Sequence, residues 1–216
     1  MKRLFPLIAT WFAFSALAQA PQDGMKLDSG KEIELNILSD YVSGTRLHKA
    51  GNKKMAITMF RQGVAKGDPK SMFALGTYYY FGEGLTKDVA EARKLFQTAV
   101  DQGNAEAAYF LSQIHGNGDG VPVDTNAALG FMQKAAFGCV AKAQSELSQM
   151  YYGGKGVTQD KLNGIAWLAL AADDEDQETR DTVAKIKLNL NPDERKRVAD
   201  LEKQYRATLK CQPDDE

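Results

Sequence analysis

The chain has 216 residues, of which 44% are hydrophobic and 25% are charged, a balance that is ordinary for a folded protein. Its 27 basic and 28 acidic side chains give a formal net charge of -1, so there is no basic excess to neutralise the phosphates of a nucleic acid. We therefore expect no nucleic-acid partner. A length of this order holds one domain or a short repeat array.

Residues 1–18 have the pattern of a secretory signal peptide. Lys2 and Arg3 form a basic start, and an uncharged, mostly apolar run of 15 residues follows and ends in small residues. That run is short for a membrane span, which needs about 20 residues, and an uncleaved anchor is the alternative. We prefer cleavage after Ala18 to cleavage after Ala20, because the second frame leaves a proline first. The mature protein is therefore expected to be periplasmic or secreted, with no integral membrane segment.

The next part of the chain divides into a short irregular segment and a first helix pair. Residues 19–34 carry no convincing pattern, and we expect a flexible N-terminal segment there. Residues 35–70 are typical of a degenerate first unit, because Ala56, Phe60 and Gly67 lie 36 residues before an alanine, a phenylalanine and a glycine of the next unit. A short Ala-Gly-Asn turn joins its two helices and resembles the turn of a plain tetratricopeptide repeat.

Residues 71–172 hold three repeats with a period of 36 residues. A leucine, two glycines, an aspartate and an alanine each recur at this step without a gap. The recurring residues are Leu75, Leu111 and Leu147; Gly82, Gly118 and Gly154; Gly84, Gly120 and Gly156; Asp88, Asp124 and Asp160; and Ala99, Ala135 and Ala171. Five such columns in one register indicate a true internal repeat.

Each repeat has the same internal order of helix, loop and helix. The first helix is predicted to begin near Ser71, Ala107 or Ala143, and a loop of the form Gly-x-Gly-[Leu/Val]-x-x-Asp follows it. The glycines permit positive φ angles that end a helix sharply, and the aspartate can cap the second helix. One helix pair cannot bury its apolar face alone, so the pairs should stack into a solenoid. No stretch alternates as a strand would, and we predict essentially no sheet.

This period and loop resemble those of the Sel-1-like repeat family, which is related to the tetratricopeptide repeats. The residues that carry the resemblance, with their equivalents one and two periods later, are Leu75, Gly76, Tyr79, Gly82, Gly84, Leu85, Asp88, Ala92 and Ala99. Three positions depart from the pattern, since His115 replaces a tyrosine, Cys139 a glycine and Gly164 an alanine. The resemblance implies an all-α fold, a right-handed α-solenoid of antiparallel helix pairs, and a protein-binding role.

Residues 173–210 are predicted to form a capping helix pair, before a tail at 211–216. The acidic stretch 173–181 is either a solvated helix end or an attraction for a basic partner or a cation. Asn191 and Pro192 predict the start of the last helix, because asparagine caps well and proline suits the first helical position. Such terminal elements cover the open end of a solenoid.

The sequence has no constellation typical of an enzyme. His48 and His115 are its two histidines, and neither a His-Glu-x-x-His nor a Cys-x-x-Cys pattern is present. Some proteins of the family that this chain resembles are linked to β-lactam binding or hydrolysis, but no Ser-x-x-Lys, Lys-Thr-Gly or Gly-x-Ser-x-Gly pattern is found. We therefore expect no metal, no cofactor and no catalysis. A hydrolase of cell-wall or β-lactam substrates is the less favoured alternative.

Cys139 and Cys211 are the only cysteines, and in an oxidising compartment such a pair favours a disulfide. Cys139 should lie just after the second helix of its unit, and Cys211 follows the last predicted helix. A helix from Pro192 to about Leu209 would be roughly 27 Å long, enough to run back past one repeat. The alternative is two separate thiols, one of them buried.

One face of the first helices is predicted to bind a partner. At about 100° per residue, the stripe of Ser71, Leu75 and Tyr79 should face the second helix, so positions 73, 77 and 80 point roughly the other way. In tetratricopeptide-like solenoids the first helices line the concave face, where aromatic and amide groups suit peptide contact. The predicted binding residues are Phe73, Thr77, Tyr80, Tyr109, Gln113, Gln149 and Tyr152. The alternative is that some aromatics only pack against adjacent repeats.

These features favour a protein or peptide partner over a substrate. The leading hypothesis is a periplasmic or secreted adaptor or scaffold that presents a rigid concave surface. An immunity-type protein that binds and neutralises a secreted effector is a sharper variant, because proteins that resemble this family include both kinds.

Overall fold

The chain divides into two units, residues 1–38 and 39–216. The computed structural model describes residues 25–26, 32–33, 39–174 and 177–211. In the first unit, strands β1 (Met25–Lys26) and β2 (Glu32–Ile33) pair antiparallel. Strands of two residues are too short to leave an alternating pattern, so this ladder is a small exception to the expectation of essentially no sheet. The predicted signal peptide and most of the predicted flexible segment lie outside the described residues.

The second unit is all-α over the part that the structure describes. Residues 39–174 and 177–211 contain ten α-helices and a 3-10 turn at Ala172–Asp174. The helices are α1 (Asp40–Lys49), α2 (Lys53–Ala65), α3 (Pro69–Phe81), α4 (Val89–Asp101), α5 (Ala105–Asn117), α6 (Thr125–Phe137), α7 (Ala141–Gly153), α8 (Lys161–Ala171), α9 (Gln177–Leu188) and α10 (Pro192–Thr208). Within the described ranges, no helix combines the length and the apolar character that a membrane crossing requires.

The first eight helices form four pairs, α1/α2, α3/α4, α5/α6 and α7/α8. Each pair packs on the next through its second helix, so that α2 contacts α3, α4 contacts α5 and α6 contacts α7. Packing that joins mainly neighbours along the chain is the arrangement of a solenoid. The predicted right-handed α-solenoid of antiparallel helix pairs is confirmed.

The 36-residue period is visible in the helix boundaries. Helices α3, α5 and α7 contain 13 residues each and begin one period apart. They begin two residues before the predicted starts at Ser71, Ala107 and Ala143. Asp68 and Asn104 account for the earlier start of α3 and α5, because each side chain accepts a hydrogen bond from an N–H group of the first turn.

The glycine loop within each repeat has the conformation that its residues predict. Gly82, Gly118 and Gly154 end the first helices with φ angles of 74°, 76° and 71°, in the left-handed region that favours glycine. Each second helix is then capped by an aspartate that accepts an N–H hydrogen bond; these caps are Asp88, Asp124 and Asp160. The predicted glycine stop and aspartate cap are both confirmed.

The core lies between the helices of each pair and between neighbouring pairs. Ala92, Phe96 and Ala99 of α4 are fully buried and form an apolar stripe at helical spacing. Gly76 lets α3 approach this stripe closely, because a Cβ atom at Gly76 would lie 2.6 Å from a ring carbon of Phe96. A small residue on one helix therefore makes room for a large one on its partner.

Helices α9 and α10 follow the last pair. Helix α10 begins at a capping box, in which Asn191 and Glu194 each accept a hydrogen bond from the other's backbone N–H, as Asn191 and Pro192 predict. It packs on α8, where the ring of Tyr205 stacks on that of Trp167 with centroids 4.4 Å apart. Helix α10 thus covers a surface of α8 that the first helix of a further repeat would cover.

Part of the acidic stretch 173–181 is paired within the molecule. Nη1 and Nη2 of Arg206 on α10 donate to the carboxylate of Asp173, and this pairing raises the pKa of Arg206. The carboxylate of Asp181 accepts a 2.8 Å hydrogen bond from Gln177 in the first turn of α9. These contacts favour a helix end with its own internal partners over a site for a basic protein.

Candidate functional site

An aromatic cluster joins α3 to α5. The ring of Phe110 on α5 contacts three rings of α3, with centroid distances of 5.6 Å to Phe73, 5.7 Å to Tyr80 and 6.0 Å to Phe81. Phe81 is 58% exposed, whereas the other three side chains are half-buried. We call these four residues the aromatic patch, and the exposed side of α3, α5 and α7 the first-helix face. The patch presents one large apolar side chain to solvent on a base of packed rings.

Tyr80 ties the aromatic patch to the next glycine loop. Its hydroxyl donates a 2.7 Å hydrogen bond to the carboxylate of Asp119, between α5 and α6. The ammonium group of Lys87 lies 5.6 Å from the centroid of the Tyr80 ring. Burial, and after it the hydrogen bond to Asp119, raise the pKa of Tyr80 to about 12. The phenol is therefore neutral at physiological pH and acts as a hydrogen-bond donor between two repeats.

A second cluster joins α5 to α7. The hydroxyl of Tyr109 donates to Oε1 of Glu146 at 2.7 Å, and Nε2 of Gln113 donates to Oε2 of the same carboxylate at 3.1 Å. Burial, followed by the hydrogen bond to Glu146, raises the pKa of Tyr109. Both oxygens of one carboxylate are thus held by side chains of the preceding repeat, with hydrogen bonds of the stronger, charge-assisted kind.

A cleft of about 800 Å³ opens beside this second cluster, bounded by α5, α6, α7 and the loop after α7. We call it the cleft. Part of its lining is apolar and comes from Leu129, Met132 and Met150. The polar and charged side chains of the lining are Ser112, Gln113, Asn117, Thr125, Lys142, Ser145, Glu146, Gln149 and Lys155. Its volume is within the range of known small-molecule pockets.

The predicted binding residues fall into separate places on this face. Phe73 and Tyr80 belong to the aromatic patch. Gln113 and Gln149 line the cleft, and Tyr109 adjoins it through its hydrogen bond to a lining carboxylate. The aromatic contacts also show inter-repeat packing, because Phe73, Tyr80 and their neighbours pack across the junction of α3 and α5.

Thr77 and Tyr152 belong to neither the aromatic patch nor the lining of the cleft. The hydroxyl of half-buried Thr77 donates a 2.7 Å hydrogen bond to the carbonyl of Ala74 in its own helix. Tyr152 is 53% exposed, and the ammonium group of Lys161 lies 5.8 Å from the centroid of its ring. Tyr152 therefore remains accessible at the end of α7, and Thr77 has a local structural role.

Sequence reasoning missed two residues of this face, Phe81 and Glu146. The equivalents of Phe81 one and two periods later are Asn117 and Gly153, so no repeating column marks the position. Glu146 lies 37 residues after Tyr109 and 33 after its other partner, and neither separation equals the period. The sequence could have placed Glu146 beside the predicted binding residue Gln149, because it lies one helical turn before Gln149 on the same face of α7.

Cys139 and Cys211 are joined by a disulfide with Cα atoms 5.0 Å apart, and the two residues are 72 positions apart in sequence. The backbone N–H of Lys210 also donates a 2.7 Å hydrogen bond to the carbonyl of Phe137, at the end of α6. Cys139 has a φ angle of 67°, in the left-handed region, where the equivalent Gly103 has 92°. The end of α10 is thus fixed to the segment between α6 and α7.

The two histidines are engaged in packing. Nδ1 of His48 lies 2.6 Å from the hydroxyl of buried Tyr78, and the ring of His115 stacks on that of Phe131 with centroids 5.5 Å apart. Over the part of the chain that the structure describes, no group of three or more His, Cys, Asp or Glu side chains could hold a metal ion.

A family model of the Sel1 repeat matches three stretches of the chain, residues 69–104, 105–136 and 141–176. The matched stretches contain the three helix pairs from α3 to α8 and their glycine loops. A comparison with curated proteins gave no match.

The solved structures that are similar to this chain include two proteins with such repeats. A Sel1 repeat protein from Oxalobacter formigenes shares 20% identity and a TM-score of 0.60, over 76% of this chain and 71% of that one. A protective antigen present in uropathogenic Escherichia coli strains, which displays an SLR fold, shares 21% identity and a TM-score of 0.44, over 79% of this chain and 45% of its own length. The matched repeats, the solenoid and the glycine loops identify the chain as a member of the Sel1-repeat family, whose repeats generally serve as protein–protein interaction modules.

Proposed function

We propose that this protein is a periplasmic or secreted adaptor or scaffold that binds a protein partner on its first-helix face. The observation that carries the proposal is Phe81, which is 58% exposed on a base of packed rings from two repeats. Because 58% of this side chain is exposed, leaving it in water forgoes roughly 1–2 kcal/mol of burial free energy, a little over half of that for a whole side chain. A partner that covers Phe81 would recover this free energy, as at the aromatic anchors of known interfaces.

The solenoid gives this anchor a rigid support. The neighbouring Tyr80 packs edge-on against Phe81 at 5.0 Å and is itself held by its hydrogen bond to Asp119. Phe110 supports Phe81 from the next repeat. Because these side chains are already ordered, a partner loses little further conformational entropy in ordering them, and this favours affinity.

Two features support a location outside the cytoplasm. The pattern of residues 1–18 is that of a secretory signal peptide. Cys139 and Cys211 are bridged, and structural disulfides persist mainly in oxidising compartments such as the periplasm and the extracellular space. Both features agree with an adaptor that meets its partner in the cell envelope or beyond it.

Affinity capture tests the proposal, with the oxidised protein lacking residues 1–18 as bait in an envelope extract. Phe81→Ser should remove most of the captured partner, because a central aromatic anchor contributes about 2 kcal/mol or more. Leu188→Ser is the matched control, since Leu188 lies on α9 and is 72% exposed. It should capture the partner as the unchanged protein does.

The result that contradicts the proposal is a partner retained by the Phe81→Ser protein at the level of the control. Circular dichroism of both variants checks that neither has lost the fold. Alanine at Phe73, Tyr80 or Tyr109 is a poorer test, because each of these side chains packs or hydrogen-bonds between repeats, and its loss would disturb the solenoid itself.

A further inference from the structure

We infer that the cleft binds an acidic segment of the protein partner, with a carboxylate of that segment paired to Lys142 and Lys155. The inference rests on the proposed function, because it names the chemistry of the partner at a second place on the same protein. It is carried by the two lysines of the cleft, by the hydrogen bonds that already hold its one carboxylate, and by the apolar surface beside these charges.

The two lysines of the cleft are the first part of the argument. Lys142 and Lys155 line it, and within the described residues the side chain of neither makes a hydrogen bond or an ion pair. Other lysines of the chain do pair, as Lys53 does with Glu83 at 2.7 Å and Lys187 with a glutamate at 2.6 Å. The cleft therefore presents two ammonium groups with their hydrogen-bonding capacity open to a ligand.

Glu146 is the only carboxylate among the lining residues of the cleft that the structure describes. Its two oxygens accept hydrogen bonds from Tyr109 and Gln113 of the preceding repeat. The carboxylate is thus held by its own partners, and it forms no ion pair with Lys142, one turn earlier on α7. Two lysines and one glutamate leave a net charge of +1 on the lining, which favours an anionic group over a cationic one.

The start of α7 adds to this positive potential. Val140 stands where the preceding first helices have Asp68 and Asn104, and α7 is without a side-chain cap, unlike α3 and α5. The first residues of α7, Ala141 and Lys142, line the cleft. Unpaired N–H groups at the positive end of a helix dipole attract negative charge. Val140 in place of a capping side chain therefore favours an anion in the cleft, as the two lysines do.

The apolar lining indicates a peptide rather than a small anion. Leu129, Met132 and Met150 form a surface beside the charged groups, and unbranched methionine side chains adapt to different apolar partners. The amides of Asn117 and Gln149 also line the cleft and can both donate to and accept from a peptide backbone. An extended segment with an acidic residue next to an apolar one matches the lysines, the apolar side chains and the amides of the lining.

Fluorescence anisotropy with two labelled peptides tests this inference on the full oxidised chain without residues 1–18. The acidic probe is Gly-Asp-Leu-Glu-Gly, and the neutral probe is Gly-Asn-Leu-Gln-Gly of the same shape. The acidic probe should bind more tightly than the neutral one, and its affinity should fall as salt is raised. The double substitution K142Q and K155Q should lower the affinity for the acidic probe about fivefold to tenfold, as expected for two rim charges.

Two further variants keep the result specific. K49Q with K54Q removes the same charge from exposed lysines of α1 and α2 and should leave binding of the acidic probe unchanged. Glu146→Gln removes the one carboxylate of the lining and should raise the affinity for the acidic probe about twofold or more. A loss of structure would not produce a gain of affinity, so this variant separates the charge argument from misfolding.

The inference would be overturned if the two probes bound equally well. It would also be overturned if K142Q with K155Q and K49Q with K54Q lost the same affinity for the acidic probe. The proposed function would stand even then if the captured partner still required Phe81. Conversely, loss of the Phe81 requirement with retained acidic-probe binding would overturn the aromatic anchor and leave the cleft as the site.

Discussion

Replacing Gly164 by alanine should lower the free energy of unfolding by about 1–3 kcal/mol, the usual cost of forcing extra volume into a packed core. Gly164 lies on α8, where a Cβ atom would meet the carbonyl oxygen of Ser148 at 2.8 Å and the backbone nitrogen of Tyr152 at 2.9 Å. Both atoms belong to the backbone of α7 and cannot move aside alone. Urea unfolding followed by circular dichroism measures the effect.

This expectation opposes the one that the repeat pattern suggests. The equivalent positions of the two preceding repeats are Ala92 and Ala128, so a consensus substitution would be expected to stabilise α8. The matched control is Gly130→Ala on α6, where an added Cβ atom has no neighbour within 4 Å. It should raise stability by roughly 0.5–1 kcal/mol, because alanine favours a helix interior over glycine. A neutral or stabilising Gly164→Ala would contradict the close approach of α7 and α8.

Loss of the disulfide should have a still larger effect. The bridge between Cys139 and Cys211 closes a loop across 72 residues of sequence, and the loop-entropy relation assigns such a bridge roughly 4 kcal/mol. The double variant C139S and C211S should therefore unfold at a clearly lower urea concentration than the oxidised protein. Reduction of the unchanged protein should produce the same shift.

A second double variant separates the cross-link from local backbone strain. Cys139 has a φ angle of 67°, a conformation that costs a non-glycine residue roughly 1 kcal/mol or more. C139G with C211S should therefore be more stable than C139S with C211S by about that amount, although both lack the bridge. If removing the bridge left stability unchanged, the noncovalent contacts of α10 would be enough to hold it in place.

The fold could be predicted because its determinants are local and repeated. A glycine with positive φ and an aspartate cap each act within one turn of their own position, and both recur every 36 residues at Gly82, Asp88 and their equivalents. Stacking then follows from the apolar stripes. The bridge between Cys139 and Cys211 was also favoured by the sequence, because a pair of cysteines in an oxidising compartment favours a disulfide.

The candidate site could be predicted only in part, because it depends on side chains that meet between repeats. Phe73 and Tyr80 were placed on the correct helices, yet the patch they form is defined by contact with Phe110 and by exposure of Phe81. The direction of each ring depends on packing that periodicity does not describe. Glu146 lies outside every repeated column for the same reason.

Hydroxyl-radical footprinting of the purified protein with its captured partner tests most directly where the partner binds. The method reads the accessibility of aromatic and aliphatic side chains, and Phe81 and Leu188 are both largely exposed in the free protein. Oxidation of Phe81 should fall by more than half in the complex, while oxidation of Leu188 should stay unchanged. Unchanged oxidation of Phe81 together with protection of Leu188 would contradict the account and place the partner on the C-terminal helices.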